Sequence, residues 1–182
     1  MPAKYYAFLD VVLDVFYSII LYNAFIAFPG FKWEALLMAF AIFVMLNYWW
    51  EARSFYEMPK HYLVDLYLTT IVMFIFAQWP DYFTNAKGFL TVLILFLLFD
   101  GIYSILLVFI HKEQKDEKTL WHYAAFEFFL AVIYAAIYLF ISKVSLPLAI
   151  VLIIFPYLIF YVIELKTGVL NTKFRDKGNQ PY

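Results

Sequence analysis

The stretch LDVFYSIIL at residues 13–21 returns as FDGIYSILL at residues 99–107, so that Asp100 stands 86 residues after Asp14. Aspartate, tyrosine, serine, one isoleucine and the closing leucine recur at identical spacing. Both copies lie inside long apolar runs, where an ionisable side chain is costly and needs a reason. This duplicated carboxylate in an apolar setting decides how the fold is interpreted, and it is the strongest indication of function in the chain.

Composition places the chain in a membrane. Of the 182 residues 66% are hydrophobic and the mean hydropathy is +0.79, whereas soluble domains are nearer half apolar. Six apolar runs approach the length of about 20 residues that a helix needs to cross a bilayer: residues 5–28, 35–50, 62–80, 89–110, 120–141 and 146–163. The first run carries two aspartates and lacks a small-x-small cleavage site, so we expect a membrane helix rather than a signal peptide.

Basic residues are distributed unequally between the two sides of such a membrane domain. Ten Lys and Arg lie in the N-terminus, the second and fourth loops and the C-terminal tail, against three in the other loops. The positive-inside rule then places both termini in the cytoplasm. Trp33 and Trp79 are expected to form an outer belt, and Trp49, Trp50 and Trp121 an inner one. The absence of cysteine fits a prokaryotic plasma membrane protein.

With six helices, the repeated stretch divides the chain into two sets of three. Three is odd, so the second set enters the membrane from the opposite side, as in the inverted repeats of secondary transporters. We therefore expect a six-helix transmembrane domain over residues 1–168, with repeats of about 1–86 and 87–168, and a polar cytoplasmic tail over residues 169–182. The alternative is chance, because membrane sequences draw on a small set of residues.

Asp100 lies at the centre of its apolar run, where insertion of a charged aspartate costs about 2.5–3.5 kcal/mol. It must face the bundle interior or a water-filled path, or stay protonated. Residues three and four positions further along share its helix face, and both copies present a phenol and a hydroxyl there. Oxygen groups of this kind suit hard cations such as K⁺, Na⁺, Mg²⁺ or H⁺. The candidate polar path comprises Asp14, Tyr17, Ser18, Asp100, Tyr103 and Ser104. The alternative is a neutral, hydrogen-bonded aspartate that joins helices.

Two further acids belong to the candidate cation path. Asp10 lies one turn before Asp14, and Glu127 lies about two turns into the fifth helix. Pro156, in the middle of the sixth helix, is expected to kink it and to free a backbone carbonyl. That carbonyl can serve as an ion ligand or simply accompany helix packing.

Enzyme and cofactor chemistry lack their usual residues. There is no cysteine, no His-Glu-x-x-His motif and no Gly-x-Ser-x-Gly motif. The histidines, at positions 61, 111 and 122, all fall at the cytoplasmic boundary, so no mid-membrane haem pair is present. We therefore expect neither catalysis nor a cofactor, and no nucleic-acid partner.

The segment KYYAFLD at residues 4–10 resembles the Arg-x-x-x-Phe-Ser-Asp signature that opens each six-helix unit of the lysosomal and bacterial potassium-channel family. Lys4 replaces the arginine and Leu9 the serine. The segment DGIYSI at residues 100–105 also resembles that family's Asp-Gly-Val-Phe-Ala-Ile continuation, on helix four rather than helix one. The resemblance implies a homo-oligomer around a pore lined by helix one. The pore constriction would then be formed by Ile19, Ile20 or Leu21.

A second resemblance is to the low-temperature-requirement A family, whose repeat has Phe-Phe-Asp on its first helix and a Trp-rich second helix. The segments NYWW at residues 47–50 and WPDYF at residues 79–83 follow that pattern. That family has no secure activity to transfer. Helices five and six match neither family beyond their hydrophobicity.

The sequence thus predicts an all-α, polytopic membrane protein that conducts or transports a cation, with K⁺ or another monovalent cation favoured. Its partners would be the lipid bilayer, an inorganic cation and further copies of itself. The alternative function is a membrane protein that transports nothing and binds lipid or partner helices, with its carboxylates protonated and structural.

Overall fold

The computed structural model describes residues 2–28, 30, 32–55, 62–110 and 117–167, and these residues form six α-helices and two 3₁₀ turns. The helices are α1 (Pro2–Ile26), α2 (Glu34–Phe55), α3 (Tyr62–Phe76), α4 (Ala86–Ile110), α5 (Glu117–Tyr138) and α6 (Leu146–Thr167). Each predicted apolar run becomes one helix, which confirms the all-α class. The predicted tail, residues 169–182, lies outside the described residues.

Three segments of the described chain are long and apolar enough to cross a membrane: Ala86–Leu106, Leu120–Lys143 and Leu146–Glu164. Two more segments, Asp14–Ile26 and Glu34–Tyr48, are apolar but shorter. These three segments support a membrane protein, and six complete spans remain a prediction. Many large apolar side chains on these helices are exposed, including Val11, Val15 and Tyr22 on α1. Helices that are apolar on every side are typical of membrane spans.

The third helix is shorter than its apolar run. α3 ends at Phe76, and the remaining residues form a 3₁₀ turn, Trp79–Tyr82, with Pro80 near its start. Proline lacks the N–H that a continuing helix needs and fits the first turn of a new element. The chain therefore changes direction here instead of extending α3 to Pro80.

Trp79 is not an interfacial anchor, and its predicted place in an outer belt is wrong. Its side chain is 0% exposed. The indole stacks between the rings of Phe76, at 4.9 Å, and Phe89, at 5.4 Å, and its Nε1 donates to the Phe89 carbonyl at 3.4 Å. Burial became favourable because the turn folds the indole back between α3 and α4. Trp33 and Trp121 are exposed.

A dense layer of large side chains fills the end of the bundle where α3 ends and α4 begins. Its members, called here the aromatic layer, are all at most 2% exposed: Phe76, Trp79, Phe83, Phe89, Leu90 and Leu93. Close packing of this kind leaves little space for water. This end of the bundle is therefore dry.

α4 is the central helix and packs along its length against α5, whereas α1 touches its neighbours at few points. Gly101 explains the close approach of α4 and α5. A Cβ at this position would lie 3.1 Å from the Phe128 ring and 3.3 Å from Cβ of Glu127. The absence of a side chain at Gly101 thus brings α5, and Glu127 with it, against the middle of α4.

Candidate functional site: a carboxylate cavity

Four helices enclose a small polar cavity of about 20 Å³, which is room for about one water molecule. Its lining comes from α2, α4, α5 and α6. The described lining residues are Asn47, Tyr48, Phe96, Asp100, Phe126, Glu127, Leu130, Tyr157, Phe160, Tyr161 and Glu164. The space they surround is named here the carboxylate cavity, after its three acids.

The three acids come from three different helices. Asp100 on α4 and Glu164 on α6 are each 8% exposed. Glu127 on α5 is half-buried, and its Oε2 atom is shielded from solvent. Acidic side chains are rarely buried this far in proteins unless their environment is polar. Their convergence on one cavity is the most unusual feature of the described chain.

The acids lie at different depths along the bundle. Asp100 stands six residues before Leu106, the end of one apolar segment, and Glu127 seven residues after Leu120, the start of another. At 1.5 Å per residue, both lie about 10 Å inside their segments. Glu164 is the last residue of the third segment, Leu146–Glu164. The cavity thus runs from the rim of the apolar region, at the end where α4 and α6 finish, towards the bundle centre.

A proline and a tyrosine shape the α6 wall. Pro156 cannot donate the hydrogen bond that would close the helical turn on residue 152. One position further on, the Tyr134 hydroxyl of α5 donates to the Ile153 carbonyl at 2.5 Å and also accepts from the backbone N–H of Tyr157. A side-chain hydroxyl of α5 therefore contacts the α6 backbone within one turn of Pro156. This contact ties α6 to α5 and holds the backbone that carries Tyr157.

Tyr157 begins a stripe of cavity residues on α6. Its ring makes edge contacts with Phe40 at 5.3 Å and Phe43 at 6.3 Å. Tyr161 and Glu164 follow at spacings of four and seven, which places all three on one helix face. Tyr161 in turn packs edge-on against Phe43 at 5.3 Å. The aromatic contacts with α2 thus fix the rotation of α6 that turns Glu164 towards the other acids.

α2 contributes an amide and a phenol. The Tyr48 ring sits edge-on against Phe76 and Phe96, with both centroid distances at 5.6 Å. Its hydroxyl is buried, and Asn47 beside it lines the same cavity. Because Phe76 belongs to the aromatic layer, Tyr48 forms the boundary between the polar cavity and the dry end of the bundle.

The polar atoms of this lining are carboxylate, phenol and amide groups, and all but the Asn47 amide nitrogen are oxygens. Oxygen-rich sites favour protons and hard cations. Within the described residues, no three His, Cys, Asp or Glu side chains are placed to hold one metal ion together. The arrangement can therefore bind water and exchange protons or pass a small cation. It does not present a preformed metal centre.

Two of the predicted site residues, Asp100 and Glu127, come together in the cavity. Tyr103 and Ser104 are buried on α4 beside Asp100 but do not line it. Their role in a polar path stays a prediction.

The predicted residues of α1 lie elsewhere, and none of the described side chains of α1 lines the cavity. Asp14 is half-buried, Tyr17 is buried, and the exposed Ser18 donates from Oγ to the Asp14 carbonyl at 2.7 Å. The side chain of Asp10 lies outside the part of the chain that the structure describes.

The three residues predicted to form a pore constriction point in different directions. Ile19 is 51% exposed, Ile20 is 3% exposed, and Leu21 is partly buried. Only Ile19 is therefore available to an axis outside this chain, and a helix-one pore stays a prediction.

Glu164 was the acid that the sequence did not single out. It stands one residue after the predicted sixth run and looks like an ordinary interfacial glutamate. The Tyr157, Tyr161 and Glu164 spacing on a helix that also carries an internal proline was the available signal. Asn47 and Tyr48 gave a weaker signal, because one amide and one phenol in an apolar run have many structural explanations.

Fold and site together define a class: an all-helical protein with at least three helices able to span a membrane and a buried carboxylate cavity among four of its helices. No protein-family model, curated protein or solved structure matches the chain.

Proposed function

We propose that the protein is an integral membrane cation channel or transporter whose ion passes through the carboxylate cavity. The observation that carries this proposal is the convergence of Asp100, Glu127 and Glu164 on one water-sized space inside apolar helices. Acids within membrane segments are costly and usually mark ion or proton pathways. K⁺ or another monovalent cation is the favoured class of ion.

The proposed topology has six membrane crossings with both termini in the cytoplasm. It rests on the excess of Lys and Arg at the chain ends and in the second and fourth loops. In this orientation the rim of the cavity at Glu164 faces the cytoplasm, because α6 ends there. The aromatic layer then lies towards the opposite side.

The lengths of the first two helices in each half support the proposed inverted repeat, whereas α3 and α6, with 15 and 22 residues, differ. α1 and α4 each have 25 residues, and α2 and α5 each have 22. The repeated stretch falls in α1 and α4, the first helices of the two proposed halves. Because each half has an odd number of helices, the second half inserts with the opposite orientation to the first. Secondary transporters use this arrangement to build binding sites between the two repeats.

Kinship with the potassium-channel family, assembly into a homo-oligomer and residence in a prokaryotic plasma membrane belong to the same proposal. They rest on the short motifs at residues 4–10 and 100–105 and on composition. The exposed apolar face of α1, with Val11, Val15 and Tyr22, suits either lipid or a second copy of the chain.

A flux assay tests the function. The purified full-length protein is reconstituted in liposomes, and K⁺, Na⁺, H⁺ and divalent cation fluxes are measured. We expect the wild type to pass at least one monovalent cation and Asp100→Asn to lose that flux by more than tenfold while remaining folded. Asp81→Asn, at an exposed acid in the 3₁₀ turn outside the cavity, is the matched control and should keep the wild-type rate. Equal flux in wild type and Asp100→Asn would contradict the proposal.

A second candidate function is favoured by the aromatic layer, whose buried side chains close the bundle beyond the cavity. The protein would then transport nothing, and its acids would be protonated and hydrogen-bonded as structural links between helices. This function predicts no flux for any ion and a lowered thermal stability of Asp100→Asn. The same liposomes, together with a melting curve, distinguish the two functions.

A further inference from the structure

We propose that the ion handled by the carboxylate cavity is the proton, which enters at Glu164 and is shared with Glu127 and Asp100. The inference rests on the proposed function and narrows its substrate class from monovalent cations to H⁺. Four observations about the cavity carry it: its size, the number of acids around it, their depths and its closure on one side.

Size is the first argument. A cavity of about 20 Å³ holds about one water molecule. A metal cation arrives either with its own water shell or by exchanging that shell for several oxygen ligands at once. The space is too small for the hydrated ion, and the described acids are not placed to ligate a bare one together. A proton needs only one water and acceptor oxygens within hydrogen-bonding reach.

The number of acids is the second argument. Carboxylates that share one confined, largely apolar site do not all ionise together, because each negative charge disfavours the next. Such a group binds and releases protons in coupled steps. The walls around the three acids include the rings of Phe96, Phe126 and Phe160, and Leu130. A site of this kind exchanges protons as a unit rather than as three independent residues.

The titratable groups around this unit come from every helix that packs on it. Those that line the cavity are Tyr48 on α2, Asp100 on α4, Glu127 on α5, and Tyr157, Tyr161 and Glu164 on α6. The buried Tyr103 and Tyr123 lie on the same helix faces as Asp100 and Glu127, and Tyr134 contacts α6 beside the cavity. Phenols ordinarily keep their protons at neutral pH. Proton exchange therefore belongs to the three carboxyl groups, with the tyrosines acting as hydrogen-bond partners.

The different depths of the three acids set the direction in which a proton moves through the cavity. Glu164 ends its apolar segment, while Asp100 and Glu127 lie about 10 Å inside theirs. A proton moves from water to the Glu164 carboxylate, and from there through the cavity water to the inner acids. In each step one O–H bond breaks on the donor and one forms on the acceptor, so the uptake of one proton adds one positive charge to the cavity.

The inner end of this path is closed. Beyond Asp100 lie Tyr48 and the aromatic layer, whose members are at most 2% exposed. A proton that reaches Asp100 cannot continue through the chain until that layer rearranges. The cavity is therefore a one-sided loading site, and release to the other side requires a conformational step. Such alternating access is the behaviour of a transporter rather than of an open pore.

Proton binding is tested first, without any requirement for transport. Infrared spectra of the full-length protein in detergent are recorded across pH, and the C=O band of protonated carboxyl groups is followed. We expect a band that changes with pH and that weakens in Asp100→Asn, Glu127→Gln and Glu164→Gln. Glu34→Gln, at a half-buried acid in the first turn of α2, is the control and should leave the band unchanged. A band that is absent, or indifferent to all three variants, would overturn the proposal.

Transport is tested second, in liposomes that contain a pH-sensitive dye and a potassium ionophore to remove the voltage. We expect proton flux in the wild type, a loss of more than tenfold in Glu164→Gln, and partial recovery in Glu164→Asp, which keeps the carboxyl group. If Glu164→Gln does not fold, Glu164→Asp and Asp100→Asn still decide the outcome.

The two proposals fail in different ways. K⁺ or Na⁺ flux that is independent of pH and of proton movement would overturn the proton assignment and leave the cation function standing. A carboxyl band that titrates as expected, with no flux of any ion, would overturn the cation function and leave proton binding standing.

Discussion

The two copies of the repeated stretch share five of their nine residues and have quite different surroundings. In the second copy Asp100 is buried and lines a cavity with two other acids, whereas Asp14 in the first copy is only half-buried and lies on a helix with few neighbours. The residue after each aspartate separates the two cases. It is Gly101 in one copy and Val15 in the other, and Val15 is 52% exposed. The repeated motif supplies an aspartate in both copies, but only in the second copy does a neighbouring helix, α5, pack closely enough to form a site around it.

The largest effect should come from removing the two aspartates one at a time. Asp100→Asn is expected to reduce cation flux by more than tenfold, because it removes an inner acid of the cavity. Asp14→Asn, which removes the same group from the first copy, should change the flux less than threefold. Flux in liposomes, normalised to the amount of folded protein, measures both. Equal losses would show that the two copies form one path and that Asp14 belongs to it as much as Asp100 does.

The next effect concerns the aligned positions Ile20 and Leu106, which are 3% and 37% exposed. Ile20→Ala should lower the free energy of unfolding by about 2–5 kcal/mol, because it leaves a void in the core. Leu106→Ala should cost clearly less, since part of its surface is already outside the bundle. Unfolding in mixed detergent measures the difference. Ile19→Ala, at a 51% exposed position, should leave stability within about 0.5 kcal/mol; a changed flux in that variant would support a pore lined by helix one.

The third effect concerns the residues that follow the two aspartates, Gly101 and Val15. Gly101→Val should destabilise the protein by about 1–3 kcal/mol, because the new side chain meets the Phe128 ring where even a Cβ would lie at 3.1 Å. It should also reduce flux, since it moves Glu127 away from Asp100. The reverse change, Val15→Gly, should cost at most about 1 kcal/mol, through helix propensity alone. If Gly101→Val leaves both stability and flux intact, close packing of α4 on α5 does not build the site.

The smallest predicted effect lies at the contact between Tyr134 of α5 and the α6 backbone. Tyr134→Phe removes the hydroxyl that donates to the Ile153 carbonyl, and one such hydrogen bond contributes about 1 kcal/mol. Thermal unfolding should show that loss, with a modest decrease in flux because Tyr157 is less firmly held. Tyr22→Phe, at a 66% exposed tyrosine of α1, is the matched control and should be neutral. Identical behaviour of the two variants would show that this contact does not support the site.

Much of the fold could be predicted from the sequence. Long apolar runs bounded by Pro, Gly and charged residues give six helices, with ends displaced by a few residues. α3 and Trp79 are the exceptions. A tryptophan beside a proline at the end of an apolar run ordinarily indicates an interface, and only the tertiary packing of Phe76 and Phe89 shows that it is buried.

The site could be predicted only in part. Asp100 and Glu127 stand out because a carboxylate inside an apolar run is costly wherever the chain folds. Glu164 does not stand out, since a helix-terminal glutamate is ordinarily solvated. Its burial depends on the rotation of α6, which the contacts of Tyr157 and Tyr161 with α2 fix. Because the rotation of α6 depends on its packing against several helices, it cannot be predicted from the sequence of α6 alone.

Trp79 has an optical consequence. Its indole, stacked between Phe76 and Phe89 and sealed from solvent, should emit at short wavelength and resist quenchers dissolved in either lipid or water. The exposed Trp33 and Trp121 should be quenched readily. The aromatic layer that closes the cavity thus contains a fluorophore. In a variant that retains Trp79 as its single tryptophan, a shift of the emission to longer wavelength would report each opening of that layer.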